Sequence, residues 1–316
     1  MVSNGLQYGY NFFCKHIQGV VIISIKKKFF CLFLCVALFL VILSSHVIAA
    51  DNTDTNDPSI SNLDTAIFAE PFAGEAPLIL FNDQVVSDSM STLYDGSVYV
   101  SLQNIVRVIL PDAVINFDGA KALVSAEGLE MSAVSGKYYV TANDRCFYVP
   151  SGIFTDGENL MLPVDVLVQT LGSESFTNRE SGHVYITPSS GAITHADEFY
   201  NETDLYYLSH LIYCESGNQT LEGKIAVGNV VLNRTISPAF PNSICDVIFQ
   251  RNQFYSDDDP LLHRTPNSES VVAAKLCLEG AQVLPTALWF NRTITNSWAS
   301  KNRVYITTIG AHDFYA

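Results

Sequence analysis

Tyr213-Cys214-Glu215-Ser216-Gly217-Asn218-Gln219 places a carboxylate at a break between two apolar runs. Upstream, Leu205, Leu208, Leu211 and Ile212 recur at helical spacing, so the pattern predicts a helix that runs out near Glu215. Gly217 and Asn218, which tolerate left-handed backbone, are expected to end it. Downstream, the run from Leu221 to Arg234 predicts a second helix. A carboxylate at the corner between two packed helices is placed to be half-buried. Half-burial raises its pKa, as a general acid working near neutrality requires. Position alone leaves a second reading open, in which Glu215 only closes a helix in solvent.

The 316 residues suffice for two domains, each with its own core. Residues 1–50 carry Lys15, Lys26, Lys27 and Lys28 and no acid, which leaves 13 basic against 32 acidic residues beyond them. So acidic a chain is not built for non-specific nucleic-acid binding, because phosphate contacts need a basic surface. Anionic membranes would repel it as well. A polymer that binds it is read by hydrogen bonds and stacking.

Lys26-Lys27-Lys28 precedes an apolar run from Phe29 to Leu43, and Val47-Ile48-Ala49 fits a signal-peptidase site. The expectation is a signal peptide over 1–50 and an exported chain acting at the cell wall or spore envelope. Membrane attachment is expected only if that segment stays uncleaved. Residues 51–74 are polar and acidic and read as a flexible tether. Beyond the signal stand Cys146, Cys214, Cys245 and Cys277, without C-x-x-C spacing, so no zinc site is expected. Cys277 falls in an apolar helical stripe and reads as core. A nucleophilic Cys214 would need His210 as its base, and a small buried hydrophobe is the commoner fate of a single cysteine.

From 75 to 188 the texture is β-like. Leu78–Phe81, Val98–Val100, Val114–Phe117, Tyr138–Val140, Cys146–Val149 and Val184–Ile186 are short apolar runs between Gly, Asp and Asn. Asp95-Gly96-Ser97-Val98-Tyr99-Val100-Ser101-Leu102 is echoed 61 residues later by Asp156-Gly157-Glu158-Asn159-Leu160-Met161-Leu162-Pro163. Each copy predicts a turn, a strand and a short helix (Leu102–Leu110 and Val164–Leu171), so a duplicated strand-helix unit is expected. This segment resembles the N-terminal domain associated with copper amine oxidases, an accessory module of exported bacterial proteins. The resemblance implies no copper, and the lone His183 offers no cluster. A wall component is the partner it suggests, against a plain spacer. Residues 189–203 read as a linker.

From Thr203 the texture turns helical, with Thr265-Pro266-Asn267-Ser268 capping a helix through Glu279 and strand- or loop-like text after Gly280. Residues 204–316 resemble the spore cortex-lytic and cell wall hydrolase family (SleB/CwlJ type). The resemblance rests on Cys214–Gln219, Leu221–Arg234, Ser237–Cys245, Gln253-Phe254, Ala273–Lys275, Trp289–Asn291, Ser297-Trp298, Thr308–Gly310 and His312–Phe314. It implies a mainly α, lysozyme-like catalytic domain, so that with the β-rich duplicated domain before it the chain is expected to be α+β in two domains. It also implies peptidoglycan glycan strands as substrate and Glu215 as the catalytic acid. Where the better-known motif has a second Glu, this chain has Gln219, which argues that a second acid is not needed.

Protonation of the leaving oxygen by Glu215 would cut the glycan after N-acetylmuramic acid. The muramic 6-hydroxyl can then attack, which gives an anhydro end, the lytic transglycosylase outcome. A hydrolytic muramidase and a catalytically silent wall-binding protein are the alternatives. Glu222, Gln253, Phe254, Tyr255, Asn291 and Trp298 are the expected substrate-binding residues, as ring-stacking or amide and carboxylate groups. Glu222 has a rival role at the start of the second helix. Asp257-Asp258-Asp259 reads as a solvated turn, and neither a metal nor a cofactor is expected.

Overall fold

Adjacent residues with positive φ, Asn82-Asp83, Asp95-Gly96 and Asn143-Asp144, make three two-residue hairpin turns, the geometry that matches strand twist. The computed structural model describes residues 76–188, 192–251, 253–255, 259–293 and 296–316. The expected signal segment, the tether, and Asp257 and Asp258 lie outside the described residues.

The first hairpin joins β1 (Ile79–Phe81) to β2 (Gln84–Val85), and the second joins β3 (Thr92–Tyr94) to β4 (Ser97–Ser101), which feeds α1 (Leu102–Ile109). There follow β5 (Val114–Phe117), β6 (Lys121–Ala126), β7 (Leu129–Val134), β8 (Tyr139–Ala142) and β9 (Arg145–Tyr148), a five-stranded antiparallel sheet in that order. Then β10 (Phe154–Asp156) and β11 (Asn159–Pro163) lead into α2 (Val164–Thr170), and β12 (Glu174–Thr177) and β13 (Val184–Thr187) close the β-rich part. The two similar stretches meet across one sheet of order β10-β11-β4-β3, with Val100 opposite Leu162 and Ser101 opposite Met161. With an offset of 61, those pairs exchange equivalent positions, so the copies face each other about a local two-fold. The first core gathers Leu102, Ile105, Leu160, Leu162, Leu167 and Val184, all fully buried. β6 and β7 were not expected, because exposed Leu123 blurs the alternation of Ala122 and Val124 toward the core.

The helical part starts with α3 (Ala196–Phe199) and α4 (Glu202–Ser216), then α5 (Leu221–Ile236), α6 (Ile244–Ile248) and α7 (Ser268–Leu278). Asn201, Thr220, Ser243 and Asn267 cap α4 to α7 with their side chains, each accepting from a backbone N–H three residues on. α5 is central, with Ile225, Ala226, Val227, Val230 and Val231 fully buried. Gly228 lets α5 approach α7, since a Cβ there would stand 2.6 Å from the Cys277 Sγ. Three strands complete this part: β14 (Trp289–Arg292), β15 (Tyr305–Ile309) and β16 (His312–Tyr315), with β16 in the middle and α8 (Trp298–Asn302) between β14 and β15 in the chain. Cys146, Cys214, Cys245 and Cys277 are free thiols.

Where it is described, the segment over 189–203 is tied to the β-rich part by hydrogen bonds. Ala196 N–H donates to the Asn143 carbonyl, and Asn143 Nδ2 donates to the Ile193 carbonyl. Arg145 of β9 makes a bidentate pair with Glu279, just past α7, at 2.7 Å on both arms. Tyr200 donates to the same carboxylate, and the Phe199 ring lies 3.5 Å from the guanidinium carbon. Cys146 is buried in the helical core, with Tyr139 and Tyr148 packed against it. The β-rich part is thereby docked on α7 through apolar contact and a water-excluded ion pair.

Candidate active site

Glu215 stands one residue before the end of α4, half-buried. Burial pushes its carboxyl above the ordinary range, while a hydrogen bond with Tyr255 and the positive charge of Arg292 pull the other way. Tyr255 in turn is raised by its own burial and by the Glu215 charge. The two hold each other: the phenol donates to the carboxylate form. Among the described residues, the charge that acts on Glu215 is the Arg292 cation from β14. Burial outweighs both this charge and the hydrogen bond, and so keeps the acid protonated further up the pH scale, ready to donate.

The corner behind Glu215 is pinned from several directions. Gly217 is right-handed (φ −55°), so its glycine does not serve a left-handed turn. It is there for space, because a Cβ would lie 2.8 Å from the Tyr213 ring. Asn267 Nδ2 donates to the Gly217 carbonyl at 3.0 Å. Lys224, 1% exposed inside α5, donates to the Gln219 carbonyl at 2.5 Å and pairs with Glu269. Gln219 Oε1 accepts from the Ala311 N–H at 2.9 Å, at the β15–β16 turn, where Gly310 (φ +57°) leaves room for it. Gln219 is therefore a clasp between the corner and the sheet. Its amide does this work without a charge.

Of the expected substrate-binding residues, the structure brings Tyr255 directly onto Glu215. Phe254 is half-buried, 6.0 Å from the Phe290 ring and 4.9 Å from the Arg234 guanidinium, and packs as core. Gln253 is exposed. Glu222 is exposed in the first turn of α5, where Thr220 and not Glu222 is the cap, and its charge bears on Tyr148 of the β-rich part. Asn291 and Trp289 alternate with Phe290 and Arg292 along β14, so they lie on the other face of the sheet from Arg292. Trp298, 58% exposed, joins Trp289 at 6.4 Å, with the Arg303 guanidinium within 4.9 Å of both rings. Among the described residues, no hydrogen bond or charge ties Asn291 or Trp298 to Glu215.

Cys214 is no nucleophile here. Its thiol donates to the Leu261 carbonyl at 2.9 Å and burial raises it, while His210 is turned to the Tyr206 carbonyl at 2.6 Å. Sequence reasoning missed Arg292 and Lys224. Arg292 is far along the chain and gave no signal. Lys224 gave one, as a charge set in a run of buried apolar and small residues.

A family model described as Cell Wall Hydrolase matches residues 218–315. It begins three residues after Glu215. Spore cortex-lytic enzymes are similar to this chain: that of Bacillus cereus is 30% identical over 129 residues, and that of Bacillus subtilis is 32% identical over 117. These matches take in 40% and 36% of this chain, and the chain spans 49% and 38% of those relatives' lengths. Among solved structures, the catalytic domain of the germination-specific lytic transglycosylase SleB from Bacillus anthracis is 30% identical. The match covers 37% of this chain and 97% of that one, with a TM-score of 0.35.

Proposed function

Residues 218–315 are a domain of the cell wall hydrolase family, and from that premise we propose that this chain is an exported enzyme that degrades peptidoglycan by cutting its glycan strand, with Glu215 as the general acid. The observation that carries the reading is the half-buried Glu215 carboxyl, raised by burial and held by Tyr255.

The neutral acid donates its proton to the glycosidic oxygen that leaves C1 of N-acetylmuramic acid, and the C1–O bond breaks. The muramic 6-hydroxyl then bonds to C1 and gives its proton back to the Glu215 carboxylate. The products are an anhydro-muramic end and a free 4-hydroxyl, and the acid is regenerated without water. Among the described residues the charge acting on Glu215 is the Arg292 cation, which favours this lytic transglycosylase course over one that needs a second acidic residue. Attack by water instead would make the chain a hydrolytic muramidase. The relatives that are spore cortex-lytic enzymes put cortex first among the substrates to test. Residues 75–188 serve in this reading as an accessory domain, and 204–316 as the catalytic one.

Glu215→Gln is expected to lower release of fragments from purified peptidoglycan by about 10²–10⁴-fold. Mass spectrometry of the wild-type products separates the two courses, since an anhydro end is lighter by one water. Full activity in Glu215→Gln would sink the assignment.

A further inference from the structure

The β-rich part contains a groove of about 640 Å³, within the span of small-ligand sites. It lies between α1, β5 and the turn that leads into β11. Ile115 and Phe117, alternate residues of β5, line it together, so they share one face of that strand. Gln103, 5% exposed, ties the far wall to α1: its Nε2 donates to the Glu158 carbonyl at 2.9 Å, and its Oε1 accepts from the Leu160 N–H at 3.0 Å. The groove is therefore preformed by buried hydrogen bonds.

Two charges of opposite sign line it. Arg107 donates to Asn104 Oδ1 at 3.2 Å and, among the described residues, has no carboxylate partner. Asn104 is itself held, through Nδ2 to the Asp88 carbonyl at 2.6 Å, so the guanidinium is aimed. Glu158, on the turn into β11, lines the groove as well. The Arg107 guanidinium is exposed at the groove and keeps its paired N–H groups available to a carboxylate ligand. β5 is also the outer strand of its sheet and pairs with β6 alone among the described residues, so it offers main-chain groups to an extended chain.

We propose that this groove binds a short extended peptide carrying both a free carboxylate and a free amine, the chemistry of the peptide stems of peptidoglycan. Arg107 takes the carboxylate, Glu158 the amine, and Ile115 with Phe117 the apolar side chains between them. A bare glycan would leave both charges without counterparts. The identity of the peptide rests on the proposed function, but the binding chemistry does not use Glu215. The chain would then grip the wall by its peptide and cut it at its sugar.

The test is calorimetric titration of the full chain with the soluble tripeptide L-Ala-γ-D-Glu-meso-diaminopimelate, and in parallel with an N-acetylglucosamine tetramer. Saturable peptide binding is expected, weakened about tenfold or more in Arg107→Ala, in keeping with loss of a charge-assisted bidentate contact. Phe117→Ala is expected to weaken it too, and Glu215→Gln to leave it unchanged. Arg107 is exposed, so its replacement leaves the core intact. Absence of peptide binding, binding that ignores Arg107→Ala, or tetramer binding that Arg107→Ala abolishes would each overturn the proposal. Peptide binding by a chain in which Glu215→Gln keeps full glycan cleavage would support the groove while refuting the catalytic reading.

Discussion

Replacing Arg145 by Met should destabilise the chain more than any other single change at the contact between the β-rich and helical parts. The pair it forms with Glu279 is shielded, with side-chain exposures of 11% and 5%, so solvent screens it little. Met keeps the volume of the aliphatic stem but leaves the Glu279 carboxylate with the Tyr200 hydroxyl. Removal of one partner of a buried pair costs about 3–5 kcal/mol, because the other charge stays buried and uncompensated. For a unit of this size that corresponds to a fall of roughly 6–20 °C in melting temperature. The magnitude belongs to the stranded charge and not to the pair itself. Arg145→Met with Glu279→Leu should therefore recover most of the loss, as apolar replacement of a whole buried pair is often close to neutral. Urea unfolding of wild type, both single variants and the double variant gives the coupling directly. If the double variant is as unstable as the sum of the singles, or if Arg145→Met costs under about 1 kcal/mol, the pair does not dock the two parts.

Lys224→Met strands the Gln219 carbonyl and should cost about 1–3 kcal/mol, whereas Glu269→Gln should cost at least as much, because it leaves the Lys224 ammonium, 1% exposed, without its counter-charge; chemical denaturation of the two variants checks that order. Tyr255→Phe removes the hydrogen bond that lowers the Glu215 pKa, so the alkaline limb of kcat/KM should move to higher pH. A limb that moves to lower pH would contradict the contact. Because the folded Glu215 is raised above its unfolded value, the native state holds the proton longer, and stability falls as pH rises through that window. Glu215→Gln cannot ionise, so its melting temperature should equal or exceed that of wild type above the window. Gly228→Ala drives a Cβ toward Cys277 and should cost about 1–3 kcal/mol by thermal melt.

The local code of this chain is legible wherever period and punctuation agree. Leu208, Leu211 and Ile212 mark α4, Asn267 marks the start of α7, and Asp95-Gly96 marks a hairpin, because each signal acts between residues a few positions apart. The similar stretches 61 residues apart were readable too, and they meet across one sheet. β6 and β7 were hidden, since Leu123 is apolar yet faces outward. β16 was hidden as well: His312–Tyr315 has no alternation of its own and is made a central strand by its neighbours on both sides.

The carboxylate in Cys214–Gln219 was nominated by sequence, and so was the helix end that carries it. What surrounds it was decided by tertiary structure. Tyr255 and Arg292 reach Glu215 from 40 and 77 positions away, and a long-range contact leaves no periodic trace. Gly217 looked like a left-handed turn and is a close approach to Tyr213. Gln219 looked like a lost acid and is a clasp on Ala311. The raised pKa of Glu215 belongs to that enclosure as a whole, because desolvation depends on what packs around a group and not on its neighbours in the chain.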